Sequence, residues 1–115
     1  MALQIEQTEI EPGVFVIALS GRMMLGSASQ QLETLIPELL AQGHRTFIFD
    51  LSGITHIDST GIGKFIFAMN RIMQAGGRMY MAGATGQVRA GFAVTRLDTV
   101  FQFFPDVASA RHALP

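Results

Sequence analysis

From Leu3 to Ile10 apolar and polar residues roughly alternate, the period of a strand with one exposed face. Glu11-Pro12-Gly13 then signals a turn, because proline fixes φ and glycine accepts the positive φ that follows. Residues 14–19 are almost continuously apolar and stop at Ser20-Gly21, so the chain opens on a hairpin. After a loop from Arg22 to Ser27, a helix is expected over 28–42, with Leu32, Leu35, Ile36, Leu39 and Leu40 on one face. Ser27 or Ser29 can cap its start, and Gly43 suits the left-handed position after its end. Pro37 removes one of its backbone hydrogen bonds and predicts a kink. Residues 46–51 are apolar on both faces at their centre, as in a parallel strand covered by helices. Residues 52–58 read as a loop, followed by a helix over 59–75 whose buried stripe is Ile62, Phe65, Ile66, Met69, Ile72 and Met73. Gly76-Gly77 ends it. A strand over 78–82, a short helix over 87–92, a short strand over 100–103 and a last helix starting at Pro105-Asp106 complete the pattern. Alternation after a hairpin predicts an α/β fold: a mixed, mostly parallel sheet of about five strands with about four helices.

Composition narrows what such a domain does. The 115 residues suit a single domain over residues 1–115, and a hydrophobic share of 49% suffices for a core. A net charge of -1 offers no electrostatic basis for binding nucleic acid or an anionic membrane. Without cysteine there is no disulfide, thiolate nucleophile or cysteine zinc site, and nothing points to secretion. No uncharged run exceeds about ten residues, against the ~20 that cross a bilayer. The start of the chain has neither a basic n-region nor a long apolar stretch, so no signal peptide and no direct membrane insertion are expected, and the location expected is cytoplasmic.

Candidate chemistry is sparse. His44, His56 and His112 are scattered with no nearby carboxylate cluster, so neither a metal nor a cofactor is expected, and no catalytic constellation is assembled. His56 and Asp58, two apart, are read as satisfying local backbone groups. The stretch from Asp58 to Phe65 resembles the end of a phosphate-binding loop, but Asp58 replaces the leading glycine and Phe65 the magnesium-binding hydroxyl. Gly61 and Gly63 also fail the dinucleotide fingerprint, since Ile66 stands where its third glycine belongs. The same stretch makes better sense as a helix N-terminus. Asp58 or Ser59 caps it, and Gly61 and Gly63 each cost ~1 kcal/mol of helix propensity against alanine. A first turn so bare invites close approach by a partner's backbone, or by an anion at the positive end of the helix dipole. Gly63, Phe67, Asn70 and Gln74 fall on the outer face, where Phe67 marks a docking surface among polar neighbours.

Taken together, the run from Phe49 to Gly63 containing Asp58-Ser59-Thr60-Gly61, with Leu51-Ser52-Gly53, Gly76-Gly77-Arg78 and the stretch from Leu97 to Phe101, resembles the STAS domain of sulphate transporters and anti-sigma-factor antagonists. The resemblance spans nearly the whole chain, and at this length it is to the bacterial antagonists. It implies partner switching: the unphosphorylated antagonist binds an anti-sigma factor that is also a serine kinase, phosphorylation separates them, and a serine phosphatase resets the switch. The phosphoacceptor is then Ser59, with Thr60 next in line, and the partner surface comprises Asp58, Ser59, Thr60, Gly61, Gly63, Phe67, Met23 and Met24. Many antagonists of the family carry an acidic residue in the loop after the second strand. Here that loop, Gly21 to Gly26, has none, and Met23, Met24 and Leu25 offer an adaptable apolar contact instead. Two alternatives stand beside this one: a STAS accessory subunit of a membrane lipid-transport ATPase, and a small-ligand sensor using the helix N-terminus.

Overall fold

In a computed structural model, described for residues 3–24 and 30–114, the hairpin forms from β1 (Gln4–Glu11) and β2 (Val14–Met23). Gly13 at φ +80° makes the turn, and its N–H donates to Glu9 Oε2 at 3.0 Å. Then come α1 (Gln30–Ala41), β3 (Thr46–Ile57), α2 (Ser59–Gln74), β4 (Arg78–Ala82), α3 (Gly86–Val94), β5 (Phe103–Phe104) and α4 (Val107–His112). The strands lie side by side in chain order, β1 antiparallel to β2 and every later pair parallel. This is the mixed sheet that the alternation predicts.

The centre of β3 is covered on both sides. Phe47, Phe49 and Leu51 point into the larger core, which Leu32, Ile36 and Leu39 of α1, Ile62, Phe65 and Ile72 of α2, and Val88 and Phe92 of α3 complete. Ile48 points the other way, into a smaller core with Val14, Tyr80 and Ala110 of α4. Three helices thus cover one face and α4 the other. Aromatic edges knit the larger core: Phe65 meets Phe49 and Phe92 at 5.8 Å, and Phe92 meets Phe101 at 5.6 Å.

Several boundaries differ from the sequence pattern. Residues 52–57, expected as a loop, continue β3, and β2 runs past Ser20-Gly21 to Met23 beside them. The pairing Ala18–Asp50 is followed by Ser20–Gly53, and Gly21–Ile54 by Arg22–His56, so β3 carries one extra residue at each bulge. Asp50 shapes the first, its Oδ1 accepting from the Ser52 N–H at 3.0 Å and the Ser52 hydroxyl at 2.7 Å. Close approach at Gly53 allows the strands to stay paired, since a Cβ there would meet the Ser20 Cβ at 2.7 Å.

The short last strand is Phe103–Phe104 rather than 100–103, because Val100 N–H turns back to the Leu97 carbonyl at 3.1 Å. Met73, assigned by periodicity to the buried stripe, is 63% exposed while its neighbour Ile72 is fully buried: at about 3.6 residues per turn Met73 falls at the edge of the stripe. Asp106 caps α4, one residue beyond Pro105, and α3 is longer than 87–92. Helix α1 is continuous through Pro37, and Gly43 takes φ +97° after it. The capping serines Ser27 and Ser29, and Leu25, lie outside the described residues.

Candidate functional site

The site is the junction where β3 ends and α2 begins. A single residue, Asp58, separates the two elements. Its backbone is extended at φ -121°, ψ -175°, and its Oδ1 accepts the Gly61 N–H at 2.9 Å, while its carbonyl accepts the Ile62 N–H at 3.0 Å. Asp58 is therefore the cap, and Ser59 is the first helical residue, displayed to solvent. No hydrogen bond from the Ser59 hydroxyl occurs among the described residues. Thr60 is half-buried one step further in.

The two glycines of the first turns have opposite jobs. Gly61 is buried, and a Cβ on it would collide with the Met23 carbonyl oxygen. Its bareness serves an internal contact, the end of β2 against the start of α2, rather than an outside partner. The same Met23 carbonyl accepts the Asp58 N–H at 3.4 Å. Gly63, by contrast, is exposed with nothing within 4 Å of a Cβ position. Of the eight residues proposed for the surface, Gly61 and Met23 are thus turned inward. Met23 is fully buried at the end of β2, where alternation along the strand points it into the core. Met24 is half-buried, with the Arg22 Nη2 at 3.7 Å from its sulfur.

Ser59, Gly63 and Phe67 follow one another at four-residue spacing along α2, a stripe that ends near Asn70. Phe67 is half-buried, with the Arg71 guanidinium 5.3 Å from its ring centroid. The positive charge on its ring face makes this an amphipathic rather than a purely apolar contact. Lys64 is drawn off this surface by an ion pair with Glu33 of α1. That pairing leaves it committed to the helix–helix contact, away from any phosphate-loop role.

Sequence reasoning missed the strand extension that leads into the site. On it, Ser20, Gly21, Arg22, Gly53, Thr55 and His56 line a groove of about 400 Å³. Thr55 Oγ1 donates to the Gly21 carbonyl at 3.1 Å and lies 3.0 Å from His56 Nδ1, so the hydroxyl's single proton leaves the imidazole as donor. The signal available was Thr55-His56 beside Arg22, but only the second bulge sets His56 opposite Arg22. Among the described residues no group of three histidines or acids gathers to hold a metal, and no helix is long and apolar enough to cross a membrane.

Comparison with known proteins places this geometry in context. An anti-sigma factor antagonist from Mycobacterium paratuberculosis superposes with a TM-score of 0.84 at 21% identity, covering 97% of this chain and 93% of that one. The phosphorylated form of the Bacillus cell-fate determinant SpoIIAA gives 0.75 at 19% identity, covering 96% and 100%. A sulfate transporter family protein from Wolinella succinogenes gives 0.77 at 14% identity, covering 90% and 85%. At these identities the likeness is one of fold. No curated protein matches by sequence. The model of the STAS domain matches residues 6–110, and the chain belongs to the STAS domain family.

Proposed function

We propose that this chain is a cytoplasmic anti-sigma-factor antagonist, a regulatory binding protein that engages an anti-sigma serine kinase and is released by phosphorylation of Ser59. The observation that carries the reading is the display of Ser59: an exposed hydroxyl at the first position of α2, immediately after its aspartate cap. A kinase needs a hydroxyl it can reach without unfolding its substrate, and Ser59 is one. Thr60, half-buried, is the weaker acceptor.

The switch follows from charge. Transfer of a phosphoryl group from ATP to Ser59 Oγ replaces the hydroxyl proton with a group carrying about -1.5 to -2 charges. The Ser59 and Thr60 N–H groups, which have no carbonyl partner within the helix, offer it a local anchor. The capping Asp58 carboxylate beside it adds repulsion toward any acidic partner group. A partner seated over Ser59, Gly63, Phe67 and Met24 is expelled by this charge and bulk, and a serine phosphatase restores the surface.

Mass spectrometry of the protein isolated from its own cells tests this, together with the identity of what co-purifies. Phosphate on Ser59 and a co-purifying serine kinase are expected, with S59A retaining the kinase and S59D losing it. An unmodified Ser59 with a transporter ATPase as partner would instead establish the accessory-subunit reading, which the structural likeness to a sulfate transporter family protein favours second.

A further inference from the structure

At the far end of α2 from Ser59, the described residues leave an apolar groove beside an open strand edge. Only three large aliphatic side chains among them are strongly exposed, and two, Met73 (63%) and Val100 (46%), line this one groove. Met69, Met79 and Phe101 add apolar surface to its walls, and its volume is about 240 Å³. Methionine adapts to irregular partners, and three of the chain's seven methionines meet here.

The groove runs beside one residue of β4, Met79, between Gly77, whose N–H donates to the Ile72 carbonyl at 2.8 Å, and Met81, which pairs toward β5. β5 pairs with β4 only at Met81–Phe103 and Ala82–Phe104. The Met81 N–H donates to Gln102 O at 2.8 Å and the Gly83 N–H to Phe104 O at 3.1 Å. Alternation along the strand therefore aims the Met79 N–H and C=O toward the same side, where no described strand faces them. On the opposite side Arg78 N–H is already held by the Arg45 carbonyl at 2.7 Å. Arg78 is the groove's single charged residue, is exposed, and has no ion pair among the described residues.

We propose that this edge is a second docking site, which takes an extended segment of another protein as an added strand beside β4. The segment alternates apolar and acidic residues. Its backbone pairs with Met79, its apolar side chains enter between Met69, Met73 and Val100, and its acidic ones face Arg78. A second copy of this chain is a poorer occupant through the same edge, because two-fold antiparallel pairing about Met79 makes the two like-charged Arg78 side chains diagonal neighbours, about 7–8 Å apart. The site is independent of the Ser59 reading.

The test is a heteronuclear NMR titration with two capped heptapeptides, valine alternating with glutamate and valine alternating with lysine. The glutamate peptide is expected to shift the Met79 amide and slow its hydrogen exchange. Affinity falls about tenfold in M73S and V100S, whose exposed positions leave the thermal midpoint in place. R78E reverses the preference between the two peptides. Shifts confined to β1, equal binding of both peptides by the wild type, or Met79 protection that rises with protein concentration alone would each overturn the proposal.

Discussion

Gly61 and Gly63 stand two residues apart in one helix and should respond oppositely to the same substitution. In G61A the new methyl collides with the Met23 carbonyl, a backbone atom that also holds the Asp58 N–H, so neither can yield alone. The junction must open, at a cost of about 1–3 kcal/mol, the range of overpacking in a tight core. G63A meets nothing and gains the helix propensity that glycine lacks, about 0.5–1 kcal/mol. Urea unfolding should therefore show the first midpoint falling and the second rising. If Gly63 also lies under a partner, G63A is the more stable protein and the weaker binder. That combination separates a glycine kept for contact from one kept for folding.

At the scale of elements, α1 and α2 are tied by Glu33 and Lys64, with Lys64 19% and Glu33 36% exposed at the side chain. Partial solvation limits such a pair, so a double-mutant cycle over E33A and K64A should return a coupling of about 0.5–1 kcal/mol that shrinks with added salt. A different electrostatic contact starts α4. The Ser109 backbone N–H on the Asp106 carboxylate, helped by the Ser109 side chain, holds that carboxyl below its usual 3.8. A lowered folded-state pKa means that the stabilisation is complete above the unfolded value and disappears as pH falls through the folded one. The stability difference between wild type and D106A should stay level from neutral pH down to about 3.8, then narrow below it. Thermal melts in a pH series measure it.

The elements that the pattern predicts correctly are those whose two sides meet different surroundings in regular alternation. Phe47, Ile48 and Phe49 announce a strand covered on both faces, and Leu32, Ile36 and Leu39 announce one helix face. The second half of β3 is silent because Ser52, Gly53, Thr55 and His56 are exposed, so composition there looks like a loop while β2 supplies the hydrogen bonds. Met23 is hidden for the same reason: composition places it in a loop, whereas it ends β2 and strand alternation buries it. Met73 shows the converse limit. Helical period continues to the last turn of α2, where Ile72 is still buried, but Met73 falls at the edge of the stripe and is exposed. At the site, the Asp58-Ser59-Thr60-Gly61 turn was readable from capping chemistry, whereas the inward role of Gly61 required knowing that Met23 lies across from it.

For the whole molecule, the question is whether a phosphate on Ser59 is felt at the β4 edge. The chain carries a net charge of only -1, so one phosphate changes the total severalfold. Distance and screening decide how far that change reaches. Helix α2 has 16 residues, which at 1.5 Å each separates its ends by about 24 Å. At physiological salt the Debye length is about 8 Å, so the field of the phosphate is largely screened before the last turn. Ser59 is also exposed and outside the core, so its modification requires no repacking that would carry strain along the helix. Phosphorylated protein, or S59E, should therefore bind the glutamate peptide at the Arg78 groove as tightly as wild type in ~0.15 M salt. Lowering the salt to ~0.01 M stretches the screening length to about 30 Å, and peptide affinity should then drop in the phosphorylated form. Isothermal titration of both forms at the two salt concentrations measures this. A loss that persists at high salt would mean that the two ends of α2 are coupled through packing rather than through charge.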